Sequence, residues 1–242
     1  MPQWSTTQHV VDCLHISRFG TYMSAAGQDV PKALQLYRWN LELASAFYTS
    51  LSLTEVVLRN AIDRELRVWN ATQPNTSGGF HQADWLLDPA RPLNSLTSKI
   101  RQTAMRHAAA ARAARPATHP RKNAPISHDD LLAQLTFGVF VKLLPTADPT
   151  DKAHRAREVL WTGALASAFP GTPEDPDGVI AADRASRLHS LRNRVAHMEP
   201  LLQVNVRGRH RDMIRLVGSI RPEIQGWFSG TSRVMEVWRA KP

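Results

Sequence analysis

The sequence predicts an all-α protein. Apolar residues return at i, i+3, i+4 and i+7 through most of the 242-residue chain, and sustained strict alternation is nearly absent. Hydrophobic residues make up 43%, enough to bury a core. The length allows one large domain or two small ones. No stretch has a linker composition long enough to separate a pair of independent cores, and no internal repeat is present. The expectation is therefore one helical domain over 1–242, a bundle of about seven helices with additional C-terminal helices. Surface loops are expected at 70–84, 113–128 and 170–178.

Each element has its own local reason. From Pro31 the chain runs almost to Trp69 without Gly or an internal Pro. Leu34, Tyr37, Leu41, Ala44, Phe47, Leu51, Val57, Leu58, Ile62 and Leu66 supply an apolar stripe, and Pro31 suits a first helical turn. The reading is one long helix, or two with a break near Thr49–Ser52. Residues 70–84 are dense in turn formers and form a loop. A helix follows over 93–112, then a connection with three prolines from Ala114 to His128. Ser127 and Asp130 have the spacing that caps a helix start, and LLAQLTFGVFVKLL (131–144) follows. Residues 151–169 and 179–198 read as helices, separated by the loop FPGTPEDPDG. Past Pro200 the sequence predicts a short extended piece, LLQVNVRG, and helical pieces near 209–220, 223–228 and 231–239.

The chain carries 30 Lys+Arg against 21 Asp+Glu, a formal net charge of +9. That balance favours polyanionic partners, nucleic acid first. Between Pro89 and His128 there is no acidic residue, while Arg91, Lys99, Arg101, Arg106, Arg112, Arg115, Arg121 and Lys122 are basic. Two further groups are Arg184, Arg187, Arg192 and Arg194, and Arg207, Arg209, Arg211 and Arg215. Such residues either solvate helix faces or track phosphates. Cys13 is the only cysteine, so no intrachain disulfide can form and no thiolate zinc cluster can be built. The start lacks the basic and apolar regions of a signal peptide. The apolar run 131–144 is cut by Gln134 and Lys142 and is shorter than the ~20 residues of a membrane span. These readings lead to a soluble, cytoplasmic protein with no membrane partner.

Residues 187–200 read RLHSLRNRVAHMEP. On a helix Asn193 and His197 lie about 40° apart around the axis, one above the other, while Arg192 and His197 are about 140° apart. One helix therefore does not aim both at one point. A second copy packed across a two-fold axis would give a composite site. A His can move the 2′-hydroxyl proton or protonate the leaving oxygen. A guanidinium can stabilise charge on phosphoryl oxygens, and an amide can orient either. The ribose supplies its own nucleophile, so this chemistry needs no metal or other cofactor. The plainer alternative is a helix C-terminus whose cations meet the negative end of the dipole. His189, Asn193 and His197 also form a row at four-residue spacing, but no carboxylate or thiolate is placed to complete a metal site.

Several stretches together resemble a known family, the Abi-like (abortive infection) proteins of bacteria, an arm of the HEPN superfamily. LYRWNLELASAFYTSLSLTEVVLRNAIDREL (36–66) resembles the family's first block, with its Tyr-x-Trp-Asn and Glu-x-x-x-Arg-Asn elements. LLAQLTFGVFVKLL (131–144) and VLWTGALASAFPG (159–171) resemble the middle blocks. LRNRVAHMEP (191–200) is similar to the pattern Arg-Asn-x-x-x-His-x-Glu-Pro, and residues 220–242 to the Trp-containing tail. Phe140 stands where Trp is common, and Met198 where a second His is frequent.

The resemblance implies a HEPN-type helical fold, a homodimer, and metal-independent endoribonuclease activity in phage defence or as a toxin. It implies that Arg192 binds the phosphate, Asn193 positions, and His197 acts as general acid or base. Glu55, Arg59 and Asn60 would be supporting or pocket residues, as would Arg194 and Glu199. For Glu55 and Asn60 the alternative is a buried polar network locking helices together. Whether an antitoxin or a phage product controls the protein is left open. The competing readings are a non-catalytic RNA-binding or regulatory HEPN module, and a helical interaction protein whose motif builds only an interface.

Overall fold

The long apolar stripe that starts at Pro31 becomes one unbroken helix, and the rest of the chain is arranged around it. A computed structural model describes residues 6–242. In chain order its helices are α1 (Thr6–Leu14), α2 (Ile16–Ala25), α3 (Val30–Asn70), α4 (Leu93–Ala114), α5 (His128–Leu132), α6 (Phe137–Val141) and α7 (His154–Gly163). They continue as α8 (Val179–Ala196), α9 (Val206–Ile220), α10 (Gln225–Thr231) and α11 (Val234–Arg239). Two short 3-10 turns, Leu165–Ala168 and Pro222–Ile224, complete the set. Apart from an isolated bridge between Pro74 and Phe80, the described residues contain no β pairing. The fold is all-α. The first five residues, on which the expectation of no leader partly rests, lie outside the described residues.

Asp29 caps α3 by accepting from Lys32 N at 2.9 Å, with Pro31 in the first turn. The break expected near Thr49–Ser52 does not occur. Ser50 and Thr54 are buried hydroxyls, and both find partners without leaving the helix. Thr54 Oγ1 donates to Ser50 O at 2.8 Å, and Ser50 Oγ meets Ser232 Oγ at 3.0 Å. Both hydroxyls are thus paired although buried, so neither requires the helix to break. The 41 residues of α3 span about 60 Å. By length and composition alone α3 is apolar enough to cross a membrane, but Leu43, Phe47, Leu51, Leu58, Ile62 and Leu66 turn its stripe into the main core. α2, α6, α8, α9 and α11 all pack against it.

Several expectations are corrected by this architecture. The described residues hold eleven α-helices rather than about seven. Two of the extra ones, α1 and α2, form a small satellite in which Phe19 and Tyr22 pack with Ala33 and Leu36 of α3. Burial drives the Tyr22 hydroxyl pKa up to about 12, with Tyr37 adding to the effect. The apolar run 131–144 turns between α5 and α6, because Leu131, Leu135, Phe137, Phe140, Leu143 and Leu144 must all be buried. One helix cannot point that many directions into one core. The helix expected over 151–169 ends at Gly163 and continues as the 3-10 turn. The piece expected to be extended after Pro200 is a turn that leads into α9, capped by Asn205 Oδ1 on Gly208 N at 2.9 Å.

Long connections are held by buried polar side chains. Asn70, at the end of α3, donates to Gln82 O and Asp88 O and accepts from Ala90 N, which pins the loop after α3. Asp63 Oδ1 accepts from Trp85 Nε1 at 2.8 Å and from His128 Nε2 at 2.7 Å, joining that loop and the start of α5 to α3. The Pro-rich connection 115–127 folds around Asp130, which receives Ser127 N, Arg115 and Arg121. These bonds, the Ser127 backbone N–H first, lower the Asp130 pKa from 3.8 to about 2.

Replacing Asp63 with Ala leaves two buried donors without an acceptor, and should reduce unfolding free energy by about 3 kcal/mol or more in urea titrations. Asp63→Asn, which keeps one acceptor oxygen, should lose less. For Asp130 the folded pKa lies below the unfolded one. Its stabilisation should be complete above about pH 4 and fade as pH falls toward 2. Asp130→Asn should therefore narrow the stability gap between pH 6 and pH 2.5 relative to wild type, measured by thermal denaturation.

Candidate functional site at the end of helix eight

α8 carries the Arg-Asn-x-x-x-His stretch, and four independent devices fix its position. At its start, buried Asp175 accepts from Ile180 N at 3.0 Å and Ala181 N at 2.8 Å, capping the first turn. Gly178, at φ 72°, lies so close to the Trp161 ring that a Cβ would stand 2.4 Å from it. Trp161 Nε1 in turn donates to Pro176 O at 2.9 Å. Along one flank, Arg187 of α8 forms two hydrogen bonds to the Asp212 carboxylate of α9, at 2.9 and 3.0 Å. Arg209 also reaches Asp212, and Arg187 also binds Asp183. These carboxylates raise the Arg187 pKa.

The far end of α8 closes in a Schellman turn. Glu199 N donates to Arg194 O at 2.9 Å and Met198 N to Val195 O at 3.1 Å. Met198 occupies the left-handed position, φ 53°, that glycine normally fills. Arg194 then donates to Pro200 O at 2.6 Å and pairs with Glu199 at 3.3 Å. Leu201 N donates to Asn40 Oδ1 of α3 at 2.7 Å. Arg194 and Glu199 thus hold the turn that follows the motif.

The remaining site residues take distinct places. His197 is the C-cap of α8 and is exposed, and its side chain has no hydrogen-bond partner among the described residues. Arg192 is half-buried and has no ion-pair partner among the described residues. Asn193 is half-buried, its Nδ2 3.3 Å from His189 Nε2. The His189 ring lies against α6, edge-on to Phe137 with centroids 6.0 Å apart. Burial, then the charges of Arg192 and Lys142, hold its pKa below the usual 6.5. The structure therefore brings Arg192, Asn193, His189 and Lys142 to one flank of α8. Glu55, Arg59 and Asn60 are not hydrogen-bonded to any of them: Glu55 is half-buried, Asn60 is exposed, and Arg59 Nε donates to Asn60 Oδ1 at 3.3 Å.

Three contributors are easy to miss in the sequence. Asn40 and Gly138 lie in stretches that stand out, but their partners, Leu201 and His189, are distant in sequence. His189 reads only as one member of a three-residue row at four-residue spacing, since nothing local reveals that its ring meets α6. Among the described residues no group of three or more His, Cys, Asp or Glu is placed to hold a metal ion.

No protein-family model, no curated protein and no solved structure matches the chain. What fold and site define is an all-α protein with a cationic, amide- and imidazole-bearing helix end.

Gly138 tests this geometry. A Cβ there would stand 2.6 Å from His189 Nε2. Gly138→Ala should displace the ring and cost about 1–3 kcal/mol, seen as a lower melting temperature and a shifted His189 imidazole resonance. An unchanged resonance would show that the two helices do not meet in this way.

Proposed function

We propose that this chain is a cytoplasmic, metal-independent endoribonuclease of the HEPN type, acting in phage defence or as a growth-arresting toxin. The observation that supports it most is the convergence of three separate stretches on α8. Asn40, from the first block, caps the turn after Pro200. Gly138, from the middle block, seats His189. The Arg-Asn-x-x-x-His stretch lies between those two contacts, and all three stretches are ones that carry the family resemblance.

In this reading the chemistry follows from the side chains. Arg192 has no ion-pair partner among the described residues, so its guanidinium is available to a phosphodiester. His197 is exposed at the cap, where an imidazole can take the 2′-hydroxyl proton or give one to the 5′-oxygen leaving group. Attack of the 2′-oxygen on phosphorus forms a 2′,3′-cyclic phosphate and releases a 5′-hydroxyl. Asn193 orients the phosphate or the imidazole. Because Arg192 and His197 diverge on α8, the site is composed from two copies of the chain, each supplying one of the pair. The RNA target and the control by an antitoxin or a phage product belong to the biology around this reaction.

The test is incubation of the purified chain with total RNA in EDTA, followed by end analysis. Wild type should yield 2′,3′-cyclic phosphate ends. Arg192→Ala and His197→Ala should each lower the cleavage rate by about 100-fold or more, and abolish growth arrest on induction. Asn193→Ala should lower it less. Binding of RNA without cleavage by wild type would favour the non-catalytic RNA-binding module instead.

A further inference from the structure

The proposed reaction gives His189 no role, yet its ring is closely held against α6. Its ring sits over Gly138 with no room for a Cβ between them, and Phe137 meets it edge-on. Its one hydrogen-bond partner among the described residues is Asn193, whose Nδ2 lies 3.3 Å from His189 Nε2. An amide nitrogen can only donate. With that nitrogen facing the ring, the contact is a hydrogen bond when Nε2 carries a lone pair and the ring proton sits on Nδ1.

We propose that His189 is a positioning residue: its neutral Nε2 accepts one N–H of Asn193 and thereby sets which way the carboxamide faces. The amide oxygen and the second N–H are then turned away from the ring and left for substrate. Protonation at Nε2 would remove the acceptor and put a donor in its place. Asn193 would have to rotate and offer its oxygen to the ring, which reverses the groups it presents outward. The surroundings favour the neutral form. The charged groups facing the ring are both cations, Arg192 on its own helix and Lys142 just after α6. Burial, ahead of these two charges, lowers its pKa and so favours the neutral form.

The orientation of Asn193 follows from contacts within one chain. Its kinetic consequence rests on the ribonuclease reading, and the two are separated by using two measurements. Nitrogen-15 NMR of the imidazole groups in the full chain should show His189 neutral at pH 7, with its proton on Nδ1 and a titration midpoint below 6.5. Lys142→Gln should raise that midpoint, and Asn193→Leu should change the Nε2 shift. A proton on Nε2 at pH 7, or a midpoint at or above 6.5, would overturn the proposal whether or not the protein cleaves RNA.

In the kinetic measurement, His189→Phe keeps an aromatic ring over Gly138 but offers no acceptor. Its kcat should fall by about 100-fold with KM for RNA nearly unchanged. His189→Gln, whose amide oxygen can accept the same N–H, should recover some of the loss. A His189→Phe variant that turns over as fast as wild type would overturn the positioning role while leaving the ribonuclease intact. If wild type cleaves nothing, the ribonuclease reading fails, and the nitrogen shifts decide the orientation of Asn193.

Discussion

Leu201 donates its backbone N–H to the Asn40 carboxamide inside the core, across 161 residues of sequence. Both residues are buried, so breaking the pair would leave a donor and an acceptor without water and cost about 1–3 kcal/mol. More follows from this bond than its own energy. It fixes where the chain goes after the Schellman turn, and so fixes the place of His197 and the hand of the turn that carries it. From there α9 must run back along α8, which brings Asp212 to Arg187. Trp39, the neighbour of Asn40, donates to Val237 O at 2.8 Å and ties α11 to the same region of α3. One short segment of α3 thus organises both the end of α8 and the C-terminal helices.

The distribution of charge follows from the same packing. The chain is strongly basic, but many of its cations have internal partners. Arg115 and Arg121 serve Asp130, Lys122 reaches the carbonyls of Ala113 and Arg115, and Arg112 reaches Ala124 O. Four of the eight cations in the acid-free stretch are therefore engaged in folding its own loop. Arg187 and Arg209 serve Asp212, and Arg207 lies 4.6 Å over the Trp238 ring. Arg184, Arg192, Arg211 and Arg215 have no ion pair among the described residues. On α4 the cations Lys99, Arg101, Arg106 and Arg112 likewise have no ion pair among the described residues, so unneutralised charge lies on α4 as well as on the α8–α9 pair.

How much of this was legible in the sequence depended on whether the cause was local. α3, α4, α8 and α9 were readable because their apolar stripes persist over many turns. The Ser127–Asp130 capping box was readable because both partners sit within one turn. The run 131–144 gave no sign of its turn, since residues buried in several directions show no periodicity to lose. α1 and α2 gave little sign, being mostly exposed and short. At the site, Arg192, Asn193, Arg194, His197 and Glu199 are consecutive enough to catch the eye. Asp63, Asp175 and Asp212 are not: each acts on groups at another place in the chain, and an isolated aspartate looks the same whether it is buried or solvated. The expected support from Glu55, Arg59 and Asn60 rested on sequence pattern, and the hydrogen bond found among them is the one between Arg59 and Asn60.

The divergence of Arg192 and His197 has a structural cause. Leu188, Leu191 and Val195 are buried and set the inward face of α8. Arg192 adjoins that face on the α6 side, next to His189, whereas His197 lies past the last helical residue and points into solvent. A reaction that needs both groups at one phosphate has two solutions: the turn moves, or a second copy supplies the missing group. Moving the turn would disturb the Glu199–Arg194 backbone bond, the Arg194–Pro200 bond and the Leu201–Asn40 bond together. These are also the contacts that hold Met198 in its left-handed conformation, a strain that persists only where the surroundings over-determine it. A segment so constrained is suited to presenting His197 outward and poorly suited to folding it back. For the proposed ribonuclease, association of two chains is therefore the less costly way to complete the site.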